Sequence, residues 1–421
     1  MRKTASLIIL LFTFIVCPAL LAEEISLTLD EALQIALRDN RGILLKTEDV
    51  KKAKLKIGEA QSGLYPTLDF TGGWKYTSNY YAKDLGQNFT QFSLKQYLYK
   101  GGKTINTIRQ NADKLEVTQA LLDRNRIELI LNVQKAFNLV LLAEEFAKLN
   151  KQILDNTKMH LELVQAKFQK GETSQSDILK VQESLAGVEE AYTASVNQVE
   201  SGQALLKELL YLDEKAIIKP RGQFIYEPKE VAYDEAFLKA MQNRPEIKQY
   251  AAQQRSDKRA IEIAKADSRP NIYFSWDYYT NSASGVIPTA GWEDHNAAGF
   301  TFTWPIFDGW ATKSKVEQAI VDLKETQLTK EKVKKDIALE LKDAYLALRD
   351  AIVKIRAVES EVTLYDDNFV TAQDQYQKGI ASSLDLSDAD LKKQVAFFNR
   401  NEAIYDYLVA WASFDKATGG I

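Results

Sequence analysis

The chain has 421 residues, 45% hydrophobic and 27% charged, with a net charge of −4. That balance excludes wholesale disorder and leaves no basic surface of the kind a nucleic-acid partner needs. Cys17 is the only cysteine, which excludes a disulfide within the chain.

The N-terminus predicts a secretory signal peptide over residues 1–22. Arg2 and Lys3 precede the apolar run LIILLFTFIV at 7–16, and Ala22 suits the position before cleavage. The segment holds two basic and no acidic residues, so the remainder would carry −4 − 2 = −6. Val16 and Pro18 beside Cys17 fit a lipoprotein site poorly, so no lipid anchor is expected. Beyond residue 22 no apolar run approaches the roughly 20 residues of a spanning helix. An exported chain of this kind is either water-soluble or crosses a membrane as closed β-structure.

The Ala- and Lys-rich stretch 30–62 predicts one helix, bounded by Pro66. Two strands should follow. In TLDFTGGWKY at 67–76, Leu68, Phe70, Trp74 and Tyr76 alternate with Thr67, Asp69, Thr71 and Lys75. The second strand carries Phe92, Leu94 and Leu98 on one face. A long helix comes next, with a seam running in steps of four and three from Leu129 and Val133 to Val164 and Phe168. Leu131, Phe137 and Leu141 fall off that seam, and a helix apolar on two flanks needs neighbours on both sides. FQKG at 168–171 breaks the pattern before another helix. Residues 211–233, with Pro220 and Pro228, read as a linker.

The second half repeats the first. LDEAL at 29–33 returns as YDEAF at 233–237, and AQSGLYP at 60–66 as AKADSRP at 264–270, both 204 residues on. LYKGG at 98–102 returns as IFDGW at 306–310, and FQKG as YQKG at 376–379, both 208 residues on. Four residues therefore enter between Pro270 and Ile306, which marks a loop. Here Ile272, Phe274, Trp276 and Tyr278 alternate with Asn271, Ser275 and Asp277; Phe300, Phe302, Trp304 and Ile306 alternate with Thr301 and Thr303. Period two with many aromatics suits a membrane strand, although a half-buried strand of a soluble domain reads the same way. Residues 311–378 hold no proline or glycine and would span about 100 Å as one helix. Their seam runs from Ile337 and Leu341 to Ala372 and Tyr376. The domains are thus a first repeat at 23–210, the linker at 211–233 and a second repeat at 234–421.

Four strands are too few to close a barrel, which needs about eight. Three copies would supply 3 × 4 = 12 and would set their long helices side by side in a cylinder. The whole stretch after residue 22 resembles the TolC-type outer membrane efflux proteins. The likeness rests on LTLDEALQIAL, the LYP and SRP hairpin entries, PIFDGW, both QKG breaks and the ending IYDYLVAWASFDKATG.

The resemblance implies a mainly helical chain with membrane β-structure. It implies a homotrimer with a 12-stranded outer membrane barrel above a periplasmic α-barrel of antiparallel coiled-coil helices. It also implies two partners, a periplasmic adaptor and an inner-membrane transporter, and export through the duct, of small molecules or, alternatively, of protein by type I secretion. A soluble periplasmic coiled-coil adaptor is the rival reading; it would not need four alternating strands or a duplicated chain.

The two breaks then read as tip turns where the long helices reverse, with Gly171 and Gly379 supplying backbone freedom. Ser382 or Ser383 can cap the next helix, and Asp177 and Asp385 fall in first turns, where an anion suits the helix dipole. Asp388 needs another account. It shares a helix face with Asp385, and SLDLSDA matches the family's constriction motif. By that likeness Asp385 and Asp388 form the periplasmic gate. In the family an Arg two residues after the second glycine joins a latch with a Tyr and an Asp. Tyr376 and Asp177 stand at the latter positions, but the Arg position is Ala381. One charged link is therefore missing, and Lys378 and Lys170 are the cations that could reach Asp177 in its place. Phe274, Trp276, Phe302 and Trp304 are expected to face lipid, with Asp69, Asp277 and Thr301 towards the lumen.

No HExxH, GxSxG or phosphate-cradling loop occurs, so neither an enzyme nor a cofactor is expected. His160 reads as an exposed helical residue and His295 as a loop residue. Glu144–Glu145 and Glu189–Glu190 read as solvated helix faces.

Overall fold

The computed structural model describes residues 24–80, 83–229, 231–284 and 293–420. The segment read as a signal, 1–22, lies outside them. The first half comprises β1 (Glu24–Leu27), α1 (Leu29–Asp39), α2 (Arg41–Ser62), β2 (Thr67–Tyr80), β3 (Lys83–Lys100), α3 (Lys103–Gln169) and α4 (Gln175–Leu210). After β4 (Ile217–Pro220) come α5 (Tyr233–Asn243), α6 (Pro245–Ala266), β5 (Asn271–Ser284), β6 (Glu293–Thr303), α7 (Ala311–Gln377) and α8 (Ser383–Thr418). The helices of each half have 11, 22, 67 and 36 residues in that order.

The helix expected over 30–62 is two helices. Asn40 is extended (φ −61°, ψ 121°), and its carboxamide oxygen caps α2 by accepting from the Gly42 and Ile43 N–H groups at 2.9 and 3.3 Å. Its amide donates to Leu209 O at 3.0 Å, tying the break to the end of α4. In the second half Pro245, at the first turn of α6, makes the same break. The linker also contains order. β4 pairs in parallel with β1, Glu24 opposite Ile217 and Leu27 opposite Pro220. Four residues are too few to show an alternation in sequence.

Two apolar cores run along the helices. One joins Val133, Phe137 and Val140 of α3 to Leu206 and Leu210 of α4 and to Ile218 of β4. The other joins Ile337, Leu341, Leu348 and Ile355 of α7 to Ile404, Tyr407 and Phe414 of α8. α3 packs against α2 and α6 along its upper length and against α4 and α8 lower down, which is why off-seam Leu131 and Phe137 are buried. Beyond Ile355 the α7 seam continues only half-buried through Val362, Tyr365 and Phe369. A buried arginine ties the second half together. Arg244 donates to both Glu246 oxygens at 3.0 Å, to Glu340 at 2.7 Å and to the Lys416 carbonyl at 3.0 Å.

The four long strands form one antiparallel sheet in the order β2-β3-β5-β6. Phe70 lies opposite Phe92, Leu94 opposite Trp276, and Phe274 opposite Phe300, so one face collects these apolar side chains. Leu98 is a bulge. Tyr97 pairs with Tyr273 and Tyr99 with Ile272, so the phase of β3 shifts by one beyond Leu98. His295, read as a loop residue, is in β6 opposite Tyr279 and stacks on its ring. β6 ends at Thr303, short of the alternation expected to continue to Ile306.

Candidate functional site

The even-numbered face of the sheet pairs aromatic side chains across strands. Phe274 and Phe300 rings meet at 5.3 Å, and Phe70 and Phe92 at 4.9 Å. Phe302 is 62% exposed; Phe274 and Trp276 are half-buried between neighbouring strands. Trp304 lies just past the strand, where its indole N–H donates to Ser268 O at 3.2 Å. The opposite face is polar. Asp277 accepts from the Ser93 hydroxyl and from the Gln91 amide across the β3–β5 pair. Lys95 lies 4.1 Å from the Tyr273 ring centre and 5.0 Å from that of Tyr97. A sheet with one apolar and one polar face, far from the helical cores, suits lipid on one side and water on the other.

At the other end of the long helices are the two tips. α3 closes with Gly171 at φ 78°; its N–H donates to Phe168 O at 2.9 Å and the Glu172 N–H to Lys167 O at 3.0 Å. α7 closes in the same way with Gly379 at φ 70°, where the Ile380 N–H donates to Gln375 O at 2.9 Å. A Cβ at either glycine would meet nothing within 4 Å, so backbone conformation and not space calls for glycine.

Each tip then starts its second helix with a reciprocal cap. The Ser174 N–H and hydroxyl donate to Asp177 at 3.2 and 2.7 Å, and the Asp177 N–H donates back to Ser174 Oγ at 3.3 Å. Ser382 and Asp385 repeat the pattern at 2.8, 2.7 and 3.2 Å. The spacing Ser-x-x-Asp was the legible signal for both caps.

The tips differ in what else holds the carboxylate. Asp177 also accepts from the Thr173 hydroxyl at 2.9 Å, and Lys180 stands 3.8 Å away. Hydrogen bonds from Ser174 and then Thr173 hold the Asp177 carboxyl below its ordinary value. Those from Ser382 alone do the same for Asp385. Asp388, one turn on, is exposed and takes no hydrogen bond or ion pair among the described residues.

Tyr376 is exposed on the last turn of α7 and makes no hydrogen bond with Asp177 within one copy. Lys378 is engaged on its own helix, 2.5 Å from Asp374. Sequence reasoning did not foresee Thr173 and Lys180 as the groups around Asp177.

Elsewhere, His160 is half-buried on α3. Glu144 is half-buried too, and desolvation followed by the adjacent Glu145 raises its carboxyl pKa.

Two helical hairpins, each with a 67-residue and a 36-residue arm, joined to a two-faced antiparallel sheet define the subunit of an outer membrane channel. Comparison with known proteins agrees. The sequence profile of the outer membrane efflux protein family matches residues 32–210 and again 238–420, and the chain belongs to that family. Its place is the outer membrane, with a long periplasmic helical extension, and membership sets aside the soluble adaptor.

The alkaline protease secretion protein AprF of Pseudomonas aeruginosa is 25% identical over 310 residues, covering 70% of this chain and 63% of that relative's length. The Campylobacter jejuni CmeC outer membrane channel superposes with a TM-score of 0.76 at 18% identity, over 93% of this chain and 85% of that one. The outer membrane protein VceC of Vibrio cholerae gives 0.74 at 14%, over 93% and 96%.

Proposed function

We propose that three copies of the chain form one continuous export duct, a 12-stranded barrel in the outer membrane opening into a periplasmic helical tunnel. The carrying observation is the four-stranded sheet with an aromatic-rich face and β2 and β6 as edges. Open edges in lipid are not tolerated, and four strands do not close. Three copies give 3 × 4 = 12 strands. The equal helix lengths in the two halves support a duplicated subunit, divided near residues 23–210, 211–233 and 234–421.

The tips are the entrance, and Asp385 and Asp388 of three copies form two stacked carboxylate rings that bind cations from the periplasmic side. The tunnel meets a periplasmic adaptor and an inner-membrane transporter. Phe274, Trp276, Phe302 and Trp304 face lipid or its interface.

The cargo is small molecules. Protein secretion is the second reading, favoured by the similarity to AprF. Deleting the protein separates them: small-molecule export should fail, seen as drug sensitivity, with extracellular protein unchanged, and the reverse result selects secretion.

Light scattering in detergent should give a threefold mass; a monomer or dimer would refute the architecture. In planar bilayers, divalent cations added on the tip side should block conductance, and Asp385→Ala/Asp388→Ala should abolish that block. A double variant that keeps it would reduce these aspartates to helix caps.

A further inference from the structure

The place where the strands meet the long helices is built once within the chain and left half-built twice. The complete version lies where the C-terminal turn of α6 crosses the turn before α3. Asp267 accepts from Lys103 at 2.7 Å and from Lys315 of α7 at 3.2 Å. Arg269 donates to Gly101 O at 3.0 Å. Gly101 (φ 58°) and Gly102 (φ 82°) run so close beneath that a Cβ on Gly101 would lie 2.7 Å from Ala266 O.

The turn before α7 repeats this backbone 208 residues on, with Gly309 at φ 65° and Trp310 at φ 69°. Nothing covers it: a Cβ on Gly309 would meet no atom within 4 Å. Trp310 occupies the left-handed region that its counterpart Gly102 occupies without strain, and a bulky side chain there is an outlier that needs a reason. Its ring is 65% exposed and forms an apolar surface with Ile306, Phe307 and Ile320, all exposed.

The missing upper half lies on the opposite flank of the molecule. The C-terminal turn of α2 corresponds to that of α6, Gly63 to Asp267 and Tyr65 to Arg269, 204 residues apart. α6 sits between α3 and α7, whereas α2 packs on α3 and α1. Leu64 and Tyr65 are 48% and 68% exposed. The sheet edges lie on the same two flanks, since β2 follows the α2 turn and β6 precedes the α7 turn.

We propose that these two half-junctions are one contact between neighbouring copies, with Leu64 and Tyr65 of one chain covering Trp310, Phe307 and Ile320 of the next. The proposal rests on the trimeric reading and names the residues that lock its ring. The junction inside the chain is ionic; the one between chains is aromatic. Two exposed apolar surfaces gain by meeting, and Lys313, 5.5 Å from the Trp310 ring centre, stands at the edge of the contact. Trp310 keeps its strained backbone because the ring, which glycine lacks, supplies that surface.

The test uses the full chain in detergent and follows trimer dissociation in urea. Trp310→Gly restores the residue found at the equivalent turn, so circular dichroism should show the fold intact or stabler. Trimer dissociation should nevertheless be faster by about tenfold, as should that of Tyr65→Ala, and the double variant should be no worse than the poorer single. Grafting the ionic junction (Gly63→Asp, Tyr65→Arg, Trp310→Gly and Ala311→Lys together) should restore the slow rate. Gly63→Cys/Ala311→Cys should link copies through a short bis-maleimide.

A wild-type trimer whose dissociation ignores Trp310→Gly and Tyr65→Ala, or whose two losses simply add, overturns this contact and leaves the trimer standing. Lipid-like oxygen accessibility of a nitroxide on Ala311→Cys would give the groove to lipid and overturn it too. A monomeric wild type would overturn the trimer itself.

Discussion

Asp277 in the sheet and Asp385 at the tip are both aspartates bonded to a serine hydroxyl, yet they are held in opposite ways. Asp277 is tied across strands, to Ser93 and Gln91, which stand more than 180 residues away in sequence (277 − 93 = 184). Asp385 is tied to Ser382, three residues back, and faces open solvent on its other side. At the strand end the solvent dictates each face, and a substitution disturbs neighbouring strands. At the tip, order is local to one helical turn, and Asp388 on the next turn stays exposed.

The largest expected effect breaks the strand side of this contrast. Trp276→Arg near mid-bilayer should cost about 2–4 kcal/mol. Asp277→Asn, which keeps an acceptor for Ser93, should be mild. Equal tolerance at 276 and 277 in a membrane-assembly assay would reverse the face assignment.

Cap removal comes next. Ser382→Ala should cost about 1 kcal/mol, seen as faster amide exchange confined to the first turn of α8. Ser174→Ala should cost less, because Thr173 still fixes Asp177. An equal loss at both would show that Thr173 contributes nothing.

Acid offers a graded version. The Asp177 and Asp385 carboxyls sit below their ordinary 3.8, so each binds its proton more readily when unfolded. Their contribution is complete above that value and is lost as pH falls through the lower folded value. Amide protection at both tips should therefore drop as pH falls below about 4. Protection that holds through this range would break the reading of the carboxylates as caps.

The smallest effect is Lys378→Ala, which removes an exposed i,i+4 pair with Asp374 worth roughly 0.3–0.5 kcal/mol. A loss several times larger would place Lys378 in a contact beyond its own helix, as a latch requires.

Local and periodic features were legible in the sequence. The heptad steps from Leu129 and Ile337, the alternation at Phe274 and Trp276, the helix-ending glycines at 171 and 379 and the caps at Asp177 and Asp385 each rest on residues within a turn or a strand of one another. Covalent spacing alone sets which of them share a face. Tertiary structure decided what depended on distant partners. Asn40 breaks a helix because its amide reaches Leu209, and β1 exists because β4 lies beside it. His295 extends a strand because Tyr279 pairs with it, and Leu98 bulges to fit β5. The repeat sets Trp310 on Gly102, but only the folded backbone shows that both positions are left-handed, since a tryptophan carries no local signal for that region. Such features are fixed by hydrogen bonds and packing between segments far apart in the chain, and no local pattern of side chains encodes them.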